Sequence, residues 1–100
     1  MRTELVTGSA QTVVRLEGRF DFQSHRDFRA VLDKALAEAA QAIQVDLGAI
    51  EYLDSSALGM LLMAQDKAKS VGKVVSLANG RGSVKQILEI ANFNKLFPMS

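Results

Sequence analysis

The sequence has no cysteine, which excludes disulfides, thiolate metal sites and a thiol nucleophile. Its one histidine, His25, cannot by itself build a histidine metal cage or a histidine-rich active site. Tryptophan is absent, and the only proline, Pro98, stands near the end. The longest apolar run, around Leu58 to Ala64, is far short of the ~20 residues a membrane helix needs. No apolar segment follows Arg2 in the manner of a secretory signal. A charge surplus is missing as well. The 12 Lys+Arg and 11 Asp+Glu leave a net charge of +1, whereas phosphate-backbone binding requires a clear cationic excess. Together these absences predict a soluble, cytoplasmic chain that binds no cofactor, metal, nucleic acid or membrane, and they exclude most classes of enzyme.

What remains is the balance of a globular chain, 48% hydrophobic and 23% charged over 100 residues. A chain of this size buries roughly 65% of its unfolded surface, enough for one modest core. A single domain over residues 1–100 is expected.

Four strands and three helices alternate in the pattern. Thr3–Thr7 and Thr12–Glu17 read as an antiparallel hairpin joined by the polar link Gly8–Gln11. Phe28, Val31, Leu32, Ala35, Leu36 and Ala39 form one apolar helical stripe, with Ser24 placed to cap it through its hydroxyl. Ala42–Leu47 is a buried strand. A second helix opens at Ser55 or Ser56, with Leu58, Leu61, Leu62, Gln65 and Ala68 on its inward face, and Gly72 ends it. Val74–Ala78 is the fourth strand. Ser83 and Gln86 have capping-box spacing at the start of a third helix, which turns Val84, Ile87, Leu88 and Ala91 inward. Phe93, Leu96 and Phe97 form a short apolar C-terminal segment that packs on the domain. The β-β-α-β-α-β-α order predicts an α/β fold with a mixed, mostly parallel four-stranded sheet and two right-handed crossovers. Function is then expected on the rim where strands end and helices begin.

Two acids follow strand ends on that rim, Asp21 and Asp54. Directly after Asp54 come Ser55-Ser56-Ala57-Leu58-Gly59, opening a helix. Free N–H groups of a first helical turn stabilise a phosphate, and a phosphoserine there adds about −1.5 to −2 charges beside the acids. The same residues also fit plain helix capping by Asp54 or Ser55, and residue types alone favour that use. The charge background is uneven. Asp46, Glu51 and Asp54 are the only charges from Gln41 to Asp54, whereas Ser55–Ser100 carries six bases and two acids.

Weaker signals divide similarly. Gly80-Arg81-Gly82-Ser83 reads as a turn with a cap rather than a phosphate cradle, because the full lysine-bearing motif is missing. Met60, one turn from Ser55, is the better candidate of Met60 and Met63 for a partner surface. Phe20 and Phe22 bracket Asp21, so one points inward and the other stays at the rim as a possible anchor. A Ser55–His25–Asp54 triad fails, since adjacent residues 54 and 55 would need to lie on opposite sides of one imidazole. His25 is expected at the surface.

Val45-Asp46-Leu47 followed by Leu53-Asp54-Ser55-Ser56-Ala57-Leu58-Gly59-Met60-Leu61-Leu62 resembles the signature of STAS domains, the anti-sigma factor antagonists. Gly18-Arg19-Phe20-Asp21 resembles that family's second marker. Lys73–Ala78 and Val84–Leu88 resemble its later strand and helix. The resemblance implies a STAS fold and maps Ser55 to the serine phosphorylated by a partner kinase that is itself the anti-sigma factor, with Ser56 as the alternative acceptor. Unphosphorylated antagonist then binds the kinase, phosphorylation releases it, and a PP2C-type phosphatase resets the cycle, so the resemblance implies a substrate and binding module that is not itself an enzyme. The Ser-Ser-Ala-Leu-Gly-Met variant resembles members paired with phosphatases fused to response regulators. The implied partner-binding rim comprises Asp21, Phe22, Asp54, Ser55, Ser56, Ala57 and Met60, with alanine at 57 where many members have glycine. The alternative is a constitutive STAS-type structural or adaptor subunit of a larger complex, without phosphorylation.

Overall fold

The computed structural model describes residues 1–100. Strands β1 (Arg2–Val6) and β2 (Gln11–Phe20) pair antiparallel, with Leu5 opposite Val14. Strands β3 (Ala42–Leu53) and β4 (Val74–Ala78) complete a sheet in the order β1-β2-β3-β4, and both later pairings are parallel. Helix α1 (His25–Leu36) connects β2 to β3 and α2 (Ser55–Ser70) connects β3 to β4. Helix α3 (Gly82–Ile90) and the single turn α4 (Phe93–Leu96) follow. This is the mixed, mostly parallel α/β sheet that the alternating pattern predicts, with three main helices.

Alternation along the strands buries Val14 and Leu16 of β2, Ile43, Val45 and Leu47 of β3, and Val75 and Leu77 of β4. Of the predicted α1 stripe, Phe28, Val31, Leu32 and Ala35 join the same hydrophobic cluster and Leu36 packs against it, whereas Ala39 lies beyond the end of the helix and is exposed. Phe20 meets Phe28 with ring centroids 5.1 Å apart. Each such fully buried side chain contributes about 1.5–3 kcal/mol.

Three local expectations are corrected. β2 and β3 run three and six residues further than their apolar runs, because they pair with each other as far as Phe20 opposite Leu53. The ladder shifts register between Arg15 and Glu17 and again at Gly18, whose φ of +100° suits glycine. On α2 the buried residues are Ala57, Met60, Leu61, Ala64 and Ala68, whereas Leu62 is exposed and Leu58 half-buried. Apolar residues surround most of this helix, so its sequence alone did not fix which face turns inward. The two serine caps also fail to form: neither Ser24 on α1 nor Ser83 on α3 makes a side-chain cap bond, and α3 begins at Gly82.

At the C-terminal end Phe93 and Phe97 are buried and stacked at 5.2 Å, but Leu96 is exposed. Gln65 on α2 donates to the Leu96 carbonyl. Pro98–Ser100 then follows the β4 edge, where Leu77 N–H donates to Pro98 O and Ser100 N–H to Leu77 O. No helix is long and apolar enough to cross a membrane.

Candidate functional site

The parallel ladder brings the ends of β2 and β3 side by side, and Asp54 N–H donates to Phe20 O across the joint at 3.3 Å. Each strand then turns away through an aspartate. Asp21 opens a 3-10 turn at Phe22–Ser24, and its Oδ1 accepts from Gln23 N–H at 3.0 Å. Ser24 is buried beneath this turn. Its hydroxyl accepts from Asp21 N–H at 3.2 Å and donates to Arg19 O at 2.9 Å, so it locks the turn instead of capping α1. The turn packs against α2 and leaves Phe22 68% exposed. Of the two phenylalanines bracketing Asp21, Phe20 is the core residue.

Asp54 stands in extended backbone, and its Oδ1 accepts from Ala57 N–H at 2.9 Å. The capping function therefore belongs to Asp54. Ser55 and Ser56 begin the helix exposed, and neither hydroxyl is used in a hydrogen bond within the chain. Their backbone N–H groups, in the first turn of a 16-residue helix, have no intrahelical acceptor.

Two members of the expected rim are corrected. Met60 is 4% exposed and Ala57 fully buried, so neither offers its side chain to a partner. Met60 lies five residues after Ser55, and at 100° per residue it turns to the core side of the helix. Three rim residues escaped the sequence reading. Arg19 holds its guanidinium 4.3 Å from the Tyr52 ring centroid and its Nε 3.8 Å from Asp21 Oδ2, and Tyr52 is itself exposed. Gly59 adds an exposed position on α2. Only the β2–β3 register brings Arg19 beside Tyr52, so no local pattern could have revealed that pair.

Elsewhere, His25 is exposed in the first turn of α1, and no group of His, Asp or Glu side chains is placed to hold a metal ion. A groove of about 920 Å³ is bordered by Arg15, Asp46, Asn79, Arg81, Lys85 and Met99. Within it, Asp46 Oδ1 accepts from Gly48 N–H and Asn79 Nδ2, and Arg81 donates to Gly48 O. These bonds tie the Gly80-Arg81-Gly82-Ser83 turn to β3 and turn the Arg81 side chain onto the backbone.

A family model described as "Mlab, STAS domain" matches residues 4–98. The chain belongs to the STAS domain family. It is 43% identical over 90 residues to a STAS-domain containing protein of Pseudomonas aeruginosa (strain UCBPP-PA14), covering 90% of this chain and 88% of that one. Among solved structures, this STAS domain is similar to the anti-sigma factor antagonist SpoIIAA in its unphosphorylated form. The TM-score is 0.81 at 20% identity, over 99% of this chain and 88% of that one. SpoIIAA of Bacillus in the phosphorylated form gives 0.73 at 19%, over 99% and 91%. An anti-sigma factor antagonist from Mycobacterium paratuberculosis gives 0.80 at 24%, over 98% and 83%. These likenesses establish a shared fold.

Proposed function

We propose that this STAS domain is an anti-sigma factor antagonist, a protein-binding module switched by phosphorylation of Ser55. The observation that carries the reading is the division of labour at the start of α2: Asp54 makes the cap, which leaves the Ser55 hydroxyl exposed and unpaired. Structural neighbours that include one antagonist in both unphosphorylated and phosphorylated forms support it.

In the forward step a partner serine kinase presents ATP, and Ser55 Oγ attacks the γ-phosphorus. The new P–O bond forms at Oγ as the bond to the ADP oxygen breaks, and the hydroxyl proton passes to a base of the kinase. The product adds about −1.5 to −2 charges, so the chain moves from +1 to about −0.5 to −1. First-turn N–H groups offset this charge within the domain, whereas a partner docked on the rim meets new repulsion beside Asp21 and Asp54. Hydrolysis by a PP2C-type phosphatase returns serine and inorganic phosphate. The unphosphorylated state binds the anti-sigma factor kinase, and the phosphorylated state releases it.

Mass spectrometry of the chain after incubation with its kinase and Mg-ATP tests the reading. A single phosphate on Ser55 is expected. Phosphate on Ser56 alone overturns the assignment to Ser55, and no phosphate under any signalling condition leaves the constitutive adaptor in its place.

A further inference from the structure

Gly59 lies in the second turn of α2, exposed, and a Cβ built on it meets no heavy atom within 4 Å. Its backbone is not left-handed either; the glycines at positive φ are Gly18, Gly72 and Gly82. Neither space nor dihedral angle therefore requires glycine at 59. Glycine inside a helix weakens it relative to alanine, because the unfolded chain regains more freedom there. This helix thus carries a weakening residue that its own fold does not use. The missing side chain leaves backbone open to close approach from outside, and residues three and four positions back on the same face are Ser56 and Ser55.

Phe22 supplies an independent sign on the adjoining turn. It is the most exposed aromatic side chain of the molecule at 68%, on a turn locked by Asp21 and Ser24 and packed against α2. A large apolar side chain on rigid backbone loses little freedom on binding, which is the usual character of an interface anchor. The acids at the two adjoining strand ends are Asp21 and Asp54, and the nearby Arg19 is already engaged with Asp21 and Tyr52.

Resting on the reading of Ser55 as phosphoacceptor, we infer that Gly59 and Phe22 set the affinity of the Ser55-directed kinase. Its backbone packs on α2 at Gly59, an apolar pocket receives Phe22, and cationic residues border both. Phe22 and Gly59 are specificity-determining residues, while Ser55 is the gate.

The test is steady-state phosphorylation by the purified kinase with Mg-ATP, alongside thermal unfolding. Gly59→Ala is expected to raise Tm by about 2–8 °C and at the same time raise KM about tenfold or more, with kcat within about twofold. A gain in stability with a loss of recognition separates an interface role from a structural one. Phe22→Ala is expected to raise KM about tenfold, and Phe22→Leu to recover most of it. Asp66→Ala, exposed further along α2, leaves KM unchanged. Wild-type KM in both Gly59→Ala and Phe22→Ala overturns this inference while leaving the Ser55 reading intact. Absence of phosphate on Ser55 in the wild-type chain overturns both.

Discussion

Oδ1 of Asp54 lies 2.9 Å from the amide nitrogen of Ala57, and that hydrogen bond determines what the neighbouring serine is free to do. A serine at the start of a helix is ordinarily used as a cap. Here the preceding aspartate satisfies the first-turn donor, and Ser55 stays available.

Asp54→Ala removes that cap and is expected to lower stability by about 0.5–2 kcal/mol. Asp54→Asn keeps an accepting side-chain oxygen and should hold stability close to wild type. Urea unfolding of the two variants checks the assignment. Equal losses would show that the charge, and not the cap bond, is what α2 uses.

Much of this arrangement could be read in the residues, and the parts that could not have physical reasons. The α1 stripe, the hairpin and the opening of α2 at Ser55 follow from local periodicity and turn chemistry. The extension of β3 to Leu53 does not, since it is imposed by pairing with β2 across a glycine bulge. Ser24 has the chemistry of a cap, yet a shorter turn that needed the same hydroxyl took it. Met60 has the chemistry of an adaptable surface, but helical geometry rotates it into the core. The aspartates at the two strand ends were legible one by one, and their adjacency depends on the register.

Lys73 offers a test of how the far end of the sheet is held. Its Nζ donates to the carbonyls of Glu38 and Ala40, each at 2.7 Å, just beyond the last turn of α1. Lys73→Met keeps much of the aliphatic stem and removes both charge-assisted bonds. A loss of about 1.5–3 kcal/mol is expected in urea unfolding. A change below about 0.5 kcal/mol would mean that water replaces the ammonium without penalty.

Thr12 points the other way. It is fully buried, and its hydroxyl has no hydrogen-bond partner. Thr12→Val keeps the branched shape and removes an unsatisfied polar group, so stability should stay level or rise by about 1 kcal/mol. A fall in Tm would contradict the orphaned state of this oxygen.

Gly48 carries a steric prediction. A Cβ there would lie 3.1 Å from Asp46 Oδ1 and 3.3 Å from Asn79 Cβ, inside the hydrogen-bonded joint between β3 and the turn after β4. Gly48→Ala is expected to cost about 1–3 kcal/mol by overpacking. In a double-mutant cycle with Asn79→Gly, which removes the opposing Cβ at a backbone of φ +63° that suits glycine, a combined loss smaller than the sum of the two single losses is expected. Strict additivity would show that the two residues do not meet.

In the proposed switch one hydroxyl, left free by Asp54, gates a protein contact. The most direct test is the affinity of the partner kinase for Ser55→Ala, Ser55→Asp and the phosphorylated wild-type chain, measured side by side by titration calorimetry. Ser55→Ala should bind as tightly as the unphosphorylated wild type, Ser55→Asp more weakly, and the phosphorylated chain at least about a hundredfold more weakly, or about 2.7 kcal/mol. Equal affinities across all of these forms would contradict the switch and leave a constitutive adaptor.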